Sequence, residues 1–203
     1  SSFSFGVGKV MKKGGSAMDY IFAILVGVGL SISAGFRVFT PMLLASIAAK
    51  LGWLPLATGF EWLGSNVAFV ALALATILEI ISYYVPMFDN LMRGLATPLA
   101  AVAGTLMTVA VIGTENAEFL SWGLAFVTGG GAATVTSLTN TAVRGTTTVT
   151  TAGIANPVVS IIEDVSAVVL PIVTIIAPIV VIVLIGVVAW LFVKFSKRIK
   201  ASM

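Results

Sequence analysis

Ile172–Val193 carries no charged residue, and comparable apolar runs recur along the rest of the chain. A helix rises about 1.5 Å per residue, so about 20 such residues match a bilayer core of about 30 Å. Backbone groups in lipid have no water to bond, which leaves helices and closed barrels as the available folds. Composition agrees: 59% of the 203 residues are hydrophobic and 9% charged, against roughly 45–50% and 25% in a soluble domain. The chain therefore reads as an all-α polytopic membrane protein of about six transmembrane helices. An ordinary cytosolic enzyme and a disordered chain are both excluded.

Six segments are legible. The first, about Tyr20–Ala49, contains Arg37 and Pro41 and is too long for one straight crossing, so a bend is expected near Gly35 or Pro41. The others are Asn66–Val85, ended by Pro86; about Leu95–Ile112; about Phe119–Val143, interrupted by Gly129-Gly130-Gly131; the short Pro157–Leu170; and Ile172–Val193. Asp89-Asn90 read as a turn or a cap for the following helix. Nine threonines fall in Thr134–Thr151. Their β-propensity conflicts with an isolated strand in lipid, so an irregular connection is expected there. Asn156 reads as an N-cap, with Pro157 at the first helical position.

The net charge of +3 is concentrated in the tails. Lys9, Lys12 and Lys13 lie in residues 1–17, read as an added tag or disordered tail because Met18 opens the apolar segment. Lys194, Lys197, Arg198 and Lys200 form a basic tail over 194–203. A membrane domain is left over residues 18–193, with halves 18–113 and 117–193. Basic tails beside a bilayer favour anionic lipid head groups and do not form a nucleic-acid patch. Arg93 and Arg144 on inner connections, against Glu115 and Glu118 on an outer one, place both termini in the cytoplasm. Trp53, Trp62 and Trp122 then mark the outer interface, and Tyr20, Tyr83, Tyr84 and Trp190 the inner one.

Cysteine and histidine are both absent. Disulfides, thiolate chemistry, Cys/His metal sites and histidine acid–base catalysis are thereby removed. No hydrolase motif appears, and Gly129-Gly130-Gly131 lacks the Gly-Lys-Ser/Thr of a nucleotide loop. No catalytic residue, metal site or cofactor is expected, and no enzyme.

The two halves carry matching features. Gly29-Leu-Ser-Ile-Ser-Ala-Gly35 parallels Gly123-Leu-Ala-Phe-Val-Thr-Gly129. Glu79 and Glu163 are each followed by a proline, Pro86 and Pro171. Ala96-Thr97-Pro98 parallels Ala177-Pro178. Three spans per half implies an inverted repeat with Gly/Pro-broken helices, as in secondary transporters. Intramembrane charges are costly and must face one another, a cavity or water. Arg37, Glu79, Glu163 and Asp164 are therefore the candidate ion or solute pathway, joined by Asn156 and Ser160 on the Glu163 face. Arg37 is expected to pair with Glu79 or Glu163. Gly35, Pro41, Pro86, Gly129, Gly130, Gly131 and Pro157 are hinge or packing positions. The small face of Thr97, Ala101, Gly104, Thr105 and Thr108 reads as helix packing.

Several stretches together resemble one family: Ser33-Ala-Gly-Phe-Arg37-Val-Phe-Thr-Pro41, Gly52-Trp-Leu-Pro-Leu56, Glu79-Ile-Ile-Ser-Tyr-Tyr-Val-Pro86-Met-Phe-Asp89-Asn90, Ala96-Thr-Pro98, Gly129-Gly-Gly-Ala132 and Asn156-Pro-Val-Val-Ser160-Ile-Ile-Glu163. The chain is similar over about Met18 to Trp190 to the bacterial integral-membrane family known as domain of unknown function 4126. The resemblance implies a membrane fold and marks Arg37, Glu79, Asp89, Asn90, Asn156 and Glu163 as motif positions. It implies no activity.

The expected function is a small transporter or channel of the bacterial inner membrane, using intramembrane carboxylates for an ion or solute. The alternative is a non-transporting accessory subunit. Membrane lipids and a homo-oligomer or complex partner are the expected associates, and no nucleic acid.

Overall fold

The computed structural model describes residues 17–83, 86–113, 118–152 and 154–178, with Val180 and Val183 beyond. The readings of residues 1–16, Tyr84, Glu115, Trp190, the tail 194–203 and most of segment six lie outside the described residues. So do the side chains of Tyr20, Pro86, Asp89, Asn90, Arg93, Glu118, Asn156 and Pro157.

Every regular element among the described residues is helical. They are α1 (Ala17–Ala34), α2 (Phe39–Lys50), a 3-10 turn at Glu61–Gly64, α3 (Asn66–Ser82), α4 (Pro86–Ile112), α5 (Glu118–Ala125), a π-helical turn at Phe126–Gly130, α6 (Gly131–Thr151) and α7 (Asn156–Ile176). Three stretches are long and apolar enough to cross a bilayer: Gly94–Ile112, Phe119–Thr151 and Val158–Ile176.

The first segment does bend, at Gly35–Val38 and not at Pro41, which sits in the first turn of α2 where its missing N–H costs nothing. Gly35 presses its backbone onto α6: a Cβ there would collide with Thr136 and lie 2.5 Å from the Ala133 carbonyl. The bend reverses the chain. Along α1, Ser31 meets Gly104 of α4 and Gly29 meets Thr174 of α7, whereas Arg37 meets Asp164. Along α2, Leu44, Ile47 and Ala48 approach Ile172, Ile175 and Ile176 of α7. So α1 runs against α7, α2 runs with it, and α1–α2 is a helical hairpin with Arg37 at its tip. The single bent segment expected from the sequence is a hairpin of two helices, and α1 starts at the end of the bundle that also holds Trp53.

Other boundaries move for identifiable reasons. α4 begins at Pro86, ahead of the expected Leu95, because proline is well placed at the first position of a helix. Asp89 and Asn90 are thus helical rather than a turn. The Gly129–Gly131 run does not interrupt its segment; α5 and α6 continue through the π turn. Thr134–Thr151 is helix, not an irregular connection. Hydroxyls of Thr134, Thr136, Thr139, Thr141, Thr146, Thr148, Thr150 and Thr151 each donate to the carbonyl four residues earlier. Those bonds give each hydroxyl donor an acceptor within the helix and overrule the β-propensity of threonine. α7 continues through Pro171, and the break falls instead at Ala177 (φ −142°, ψ 73°), outside the helical region that a residue before proline avoids. Its N-cap is Ala155, one residue before the expected Asn156.

The centre is packed on small residues. Ser31 Oγ lies 2.7 Å from the Gly27 carbonyl, 2.6 Å from the Gly104 carbonyl and 2.9 Å from Thr108 Oγ1. Gly104 and Gly129 interlock, since a Cβ on Gly104 would stand 2.6 Å from the Gly129 carbonyl. The expected Thr97–Thr108 face is therefore a packing seam between α1, α4 and the π turn.

Candidate functional site

Arg37, Glu79, Tyr83, Arg144, Glu163 and Asp164 converge where the hairpin tip meets α3, α6 and α7. Arg37 does not pair with either glutamate. Its Nε donates to Asp164 Oδ1 at 2.7 Å, and its Nη2 lies 2.5 Å from the same oxygen. The Tyr83 ring covers the guanidinium with its centroid 3.8 Å from Cζ, a favourable cation–π geometry. Arg37 Nη1 is buried without a hydrogen-bond partner among the described residues. Leaving such a donor unmet costs about 1–3 kcal/mol.

Glu79 caps the second arm of the hairpin. Val38 N–H donates to its Oε1 at 2.7 Å and Phe39 N–H to its Oε2 at 3.1 Å. A carboxylate there also faces the positive end of the α2 dipole. Helical spacing on α3 puts Thr76, Glu79 and Tyr83 on this side. Thr76 Oγ1 is a second buried polar atom without a partner among the described residues.

Glu163 takes a different arginine. Arg144 Nε donates to Glu163 Oε1 at 2.7 Å, its Nη2 donates to Glu163 Oε2, and the same Nη2 donates to Ser160 Oγ at 2.9 Å. This is the fork geometry that suits guanidinium and carboxylate. Arg144 also stands 5.8 Å from the Tyr83 ring, so one tyrosine lies beside both guanidinium groups. The neighbouring acids of α7 thus tie two separate elements, Glu163 holding α6 and Asp164 holding the hairpin tip. The cluster holds two arginines and three carboxylates, of which the arginines bond Glu163 and Asp164.

Exposure separates these groups. Glu79 is 6% and Glu163 5% exposed, and the Asp164 side chain is 38% exposed while that of Arg37 is 2%. An apolar crevice of about 220 Å³ lies elsewhere, between α2 and α7, lined by residues including Leu44, Trp53 and Ile175. Among the described residues no group of His, Cys, Asp and Glu has the makings of a metal site.

Of the residues anticipated from sequence, Arg37, Glu79, Glu163, Asp164 and Ser160 come together, while the Asn156 side chain lies outside the described residues. Gly35, Gly129 and Gly130 make close backbone contacts, whereas nothing stands within 4 Å of a Cβ on Gly131. The sequence puts Tyr83 on the helix face of Thr76 and Glu79 and at the inner interface without giving it an arginine partner, and it reads Arg144 only as a connection charge. Helical reading of the threonine run places Arg144 two turns beyond Ser137, on the same buried side of α6.

The sequence matches the domain of unknown function DUF4126 over residues 24–198. The chain belongs to this family. No curated protein and no solved structure matches it. For this DUF4126 member the site geometry is therefore the basis for any functional reading.

Proposed function

We propose that this protein moves a small ion or solute across the bacterial inner membrane, without catalysing a reaction, with the hairpin-tip cluster as its polar centre. One observation carries the reading: a buried helix break, Gly35–Val38, carries Arg37 and meets a cluster of four more charged side chains from three helices, Glu79, Arg144, Glu163 and Asp164. Non-helical backbone inside a membrane bundle is tolerated where protein or a cavity surrounds it, and broken helices of this kind form the binding sites of secondary transporters.

An inverted repeat fits the same reading, in a revised register. α2 runs opposite to α6, α3 opposite to α7 and, by expectation, α4 opposite to residues 177–193. α3 and α7 then bring Glu79 and Glu163 to one end from opposite directions. The positive-inside bias favours that end, where α4 begins and carries Arg93 in its first turns, as cytoplasmic. α1 begins at the other end, so of the two termini only the C-terminal tail is proposed as cytoplasmic. Lipids, and a second copy or a partner subunit, are the proposed associates.

Proteoliposomes loaded with pH- and voltage-sensitive dyes test the proposal. Wild-type flux that is lost in Glu163→Gln and Glu79→Gln, with folding retained, supports transport. The competing reading, an accessory subunit, is favoured by the closed pairing of Glu79 and Glu163; unchanged ion fluxes in both variants would select it.

A further inference from the structure

We propose that Glu79 is the proton-carrying group of the cluster, and that its proton loosens the N-terminus of α2. The proposal rests on the transport reading for its purpose. It names the proton as the ion, and Glu79 rather than Glu163 as its carrier.

Charge balance singles Glu79 out. Arg37 is taken by Asp164 and Arg144 by Glu163, so the third carboxylate has no guanidinium of its own. Glu79 is 6% exposed and is held by backbone N–H groups, Val38 at Oε1 and Phe39 at Oε2. A helix N-terminus offers about half a positive charge, and a buried charge that is met only in part tends to neutralise. The charged and titratable groups around Glu79 among the described side chains are Arg37, Tyr83, Arg144, Glu163 and Asp164. Both arginines are already committed.

A proton suits this carboxylate where a metal ion does not. Both oxygens already face N–H donors, and no group of His, Cys, Asp and Glu among the described residues could hold a metal. A hard cation needs several further oxygens, whereas a proton needs one acceptor. Thr76 supplies it. Its Oγ1 is buried without a hydrogen-bond partner among the described residues, and it stands one turn before Glu79 on the inward face of α3.

The two protonation states differ at one backbone group. The ionised carboxylate accepts from Val38 at 2.7 Å and from Phe39 at 3.1 Å. A proton taken up from water goes to Oε2, the oxygen with the longer bond. The new O–H donates to Thr76 Oγ1, while Oε1 keeps the Val38 N–H. Phe39 N–H then loses its acceptor, and the first turn of α2 loses one of its two bonds to α3. Val38 closes the Gly35–Val38 break, so a proton at Glu79 acts directly on the hairpin tip.

The test is infrared difference spectroscopy of the full chain in phosphatidylcholine bilayers between about pH 4 and pH 9, beside NMR of the Val38 and Phe39 amides. A protonated carboxyl has a carbonyl stretch that a carboxylate lacks. Wild type is expected to gain, on acidification, a component of that band which Glu79→Gln removes and Glu163→Gln keeps. Thr76→Val should move the component to higher wavenumber, because the O–H loses its acceptor. The Phe39 amide resonance should titrate with the component and shift more than that of Val38. No component that depends on Glu79 anywhere in this range overturns the proposal, as does one whose titration leaves the Phe39 amide unmoved. Should Glu79→Gln not fold, Glu79→Asp decides: a displaced component sustains the assignment and an unmoved one overturns it. Protonation is read without flux. A Glu79 that titrates in a chain moving no ion faults only the transport reading, and flux without titration at Glu79 faults only this one.

Discussion

Arg37 and Asp164 meet with Nε 2.7 Å from Oδ1, yet one side chain is 2% exposed and the other 38%. The two ends of the pair are therefore not equivalent. Asp164→Ala strands a buried guanidinium, and Arg37→Met strands only a carboxylate that already reaches the surface. Asp164→Ala should lose about 3 kcal/mol and Arg37→Met less, measured as unfolding in mixed detergent. Equal losses would show that burial does not set the asymmetry.

Glu79→Gln should cost about 1–2 kcal/mol through the cap it breaks. The neutral amide retains one acceptor for Val38 N–H and turns a donor toward Phe39 N–H. Thermal unfolding of Glu79→Gln beside Glu79→Asp checks this. If both are as stable as wild type, the carboxylate does not hold the α2 terminus.

Two glycines give an internally controlled comparison. Gly129→Ala pushes a methyl into Thr108 Oγ1 and the Gly104 carbonyl, while nothing lies within 4 Å of a Cβ on Gly123. Gly129→Ala should destabilise by about 1–3 kcal/mol, and Gly123→Ala should be neutral or stabilise by about 1 kcal/mol from helix propensity. Thermal midpoints of the two variants decide it.

The helical threonine run predicts a labelling period. The chain has no native cysteine, so single cysteines from Thr139 to Thr151 report cleanly. Reactivity or spin-label mobility should repeat every 3.6 residues. A repeat of two residues would restore the strand that threonine composition suggests.

Much of this fold was legible because apolar runs and prolines act locally. Asn66–Ser82 matches its expected start, and Arg37, Glu79, Glu163 and Asp164 were identified because charges in apolar surroundings must find partners. Which partner each finds depends on the hairpin at Gly35–Val38, a tertiary reversal that spacing along one helix cannot express. Gly29, Ser33, Arg37 and Pro41 keep regular spacing in sequence, yet the chain leaves the helix between the second and third of them. Threonine misled the reading of Thr134–Thr151 because its propensity reflects β-sheet surfaces and not a membrane helix where its hydroxyl bonds backward. Arg144 was lost with it.

The most direct test of the polar centre asks whether water reaches it. Asp164→Cys, in a chain with no other cysteine, is exposed to a membrane-impermeant thiol reagent in intact vesicles, beside Ile161→Cys and Val165→Cys, whose parent side chains are exposed on the neighbouring surface of α7. A thiol reacts as its thiolate, which forms in water and not in lipid. A water-connected site predicts rapid labelling at position 164 and slow labelling at 161 and 165. Position 164 as unreactive as the other two would contradict it.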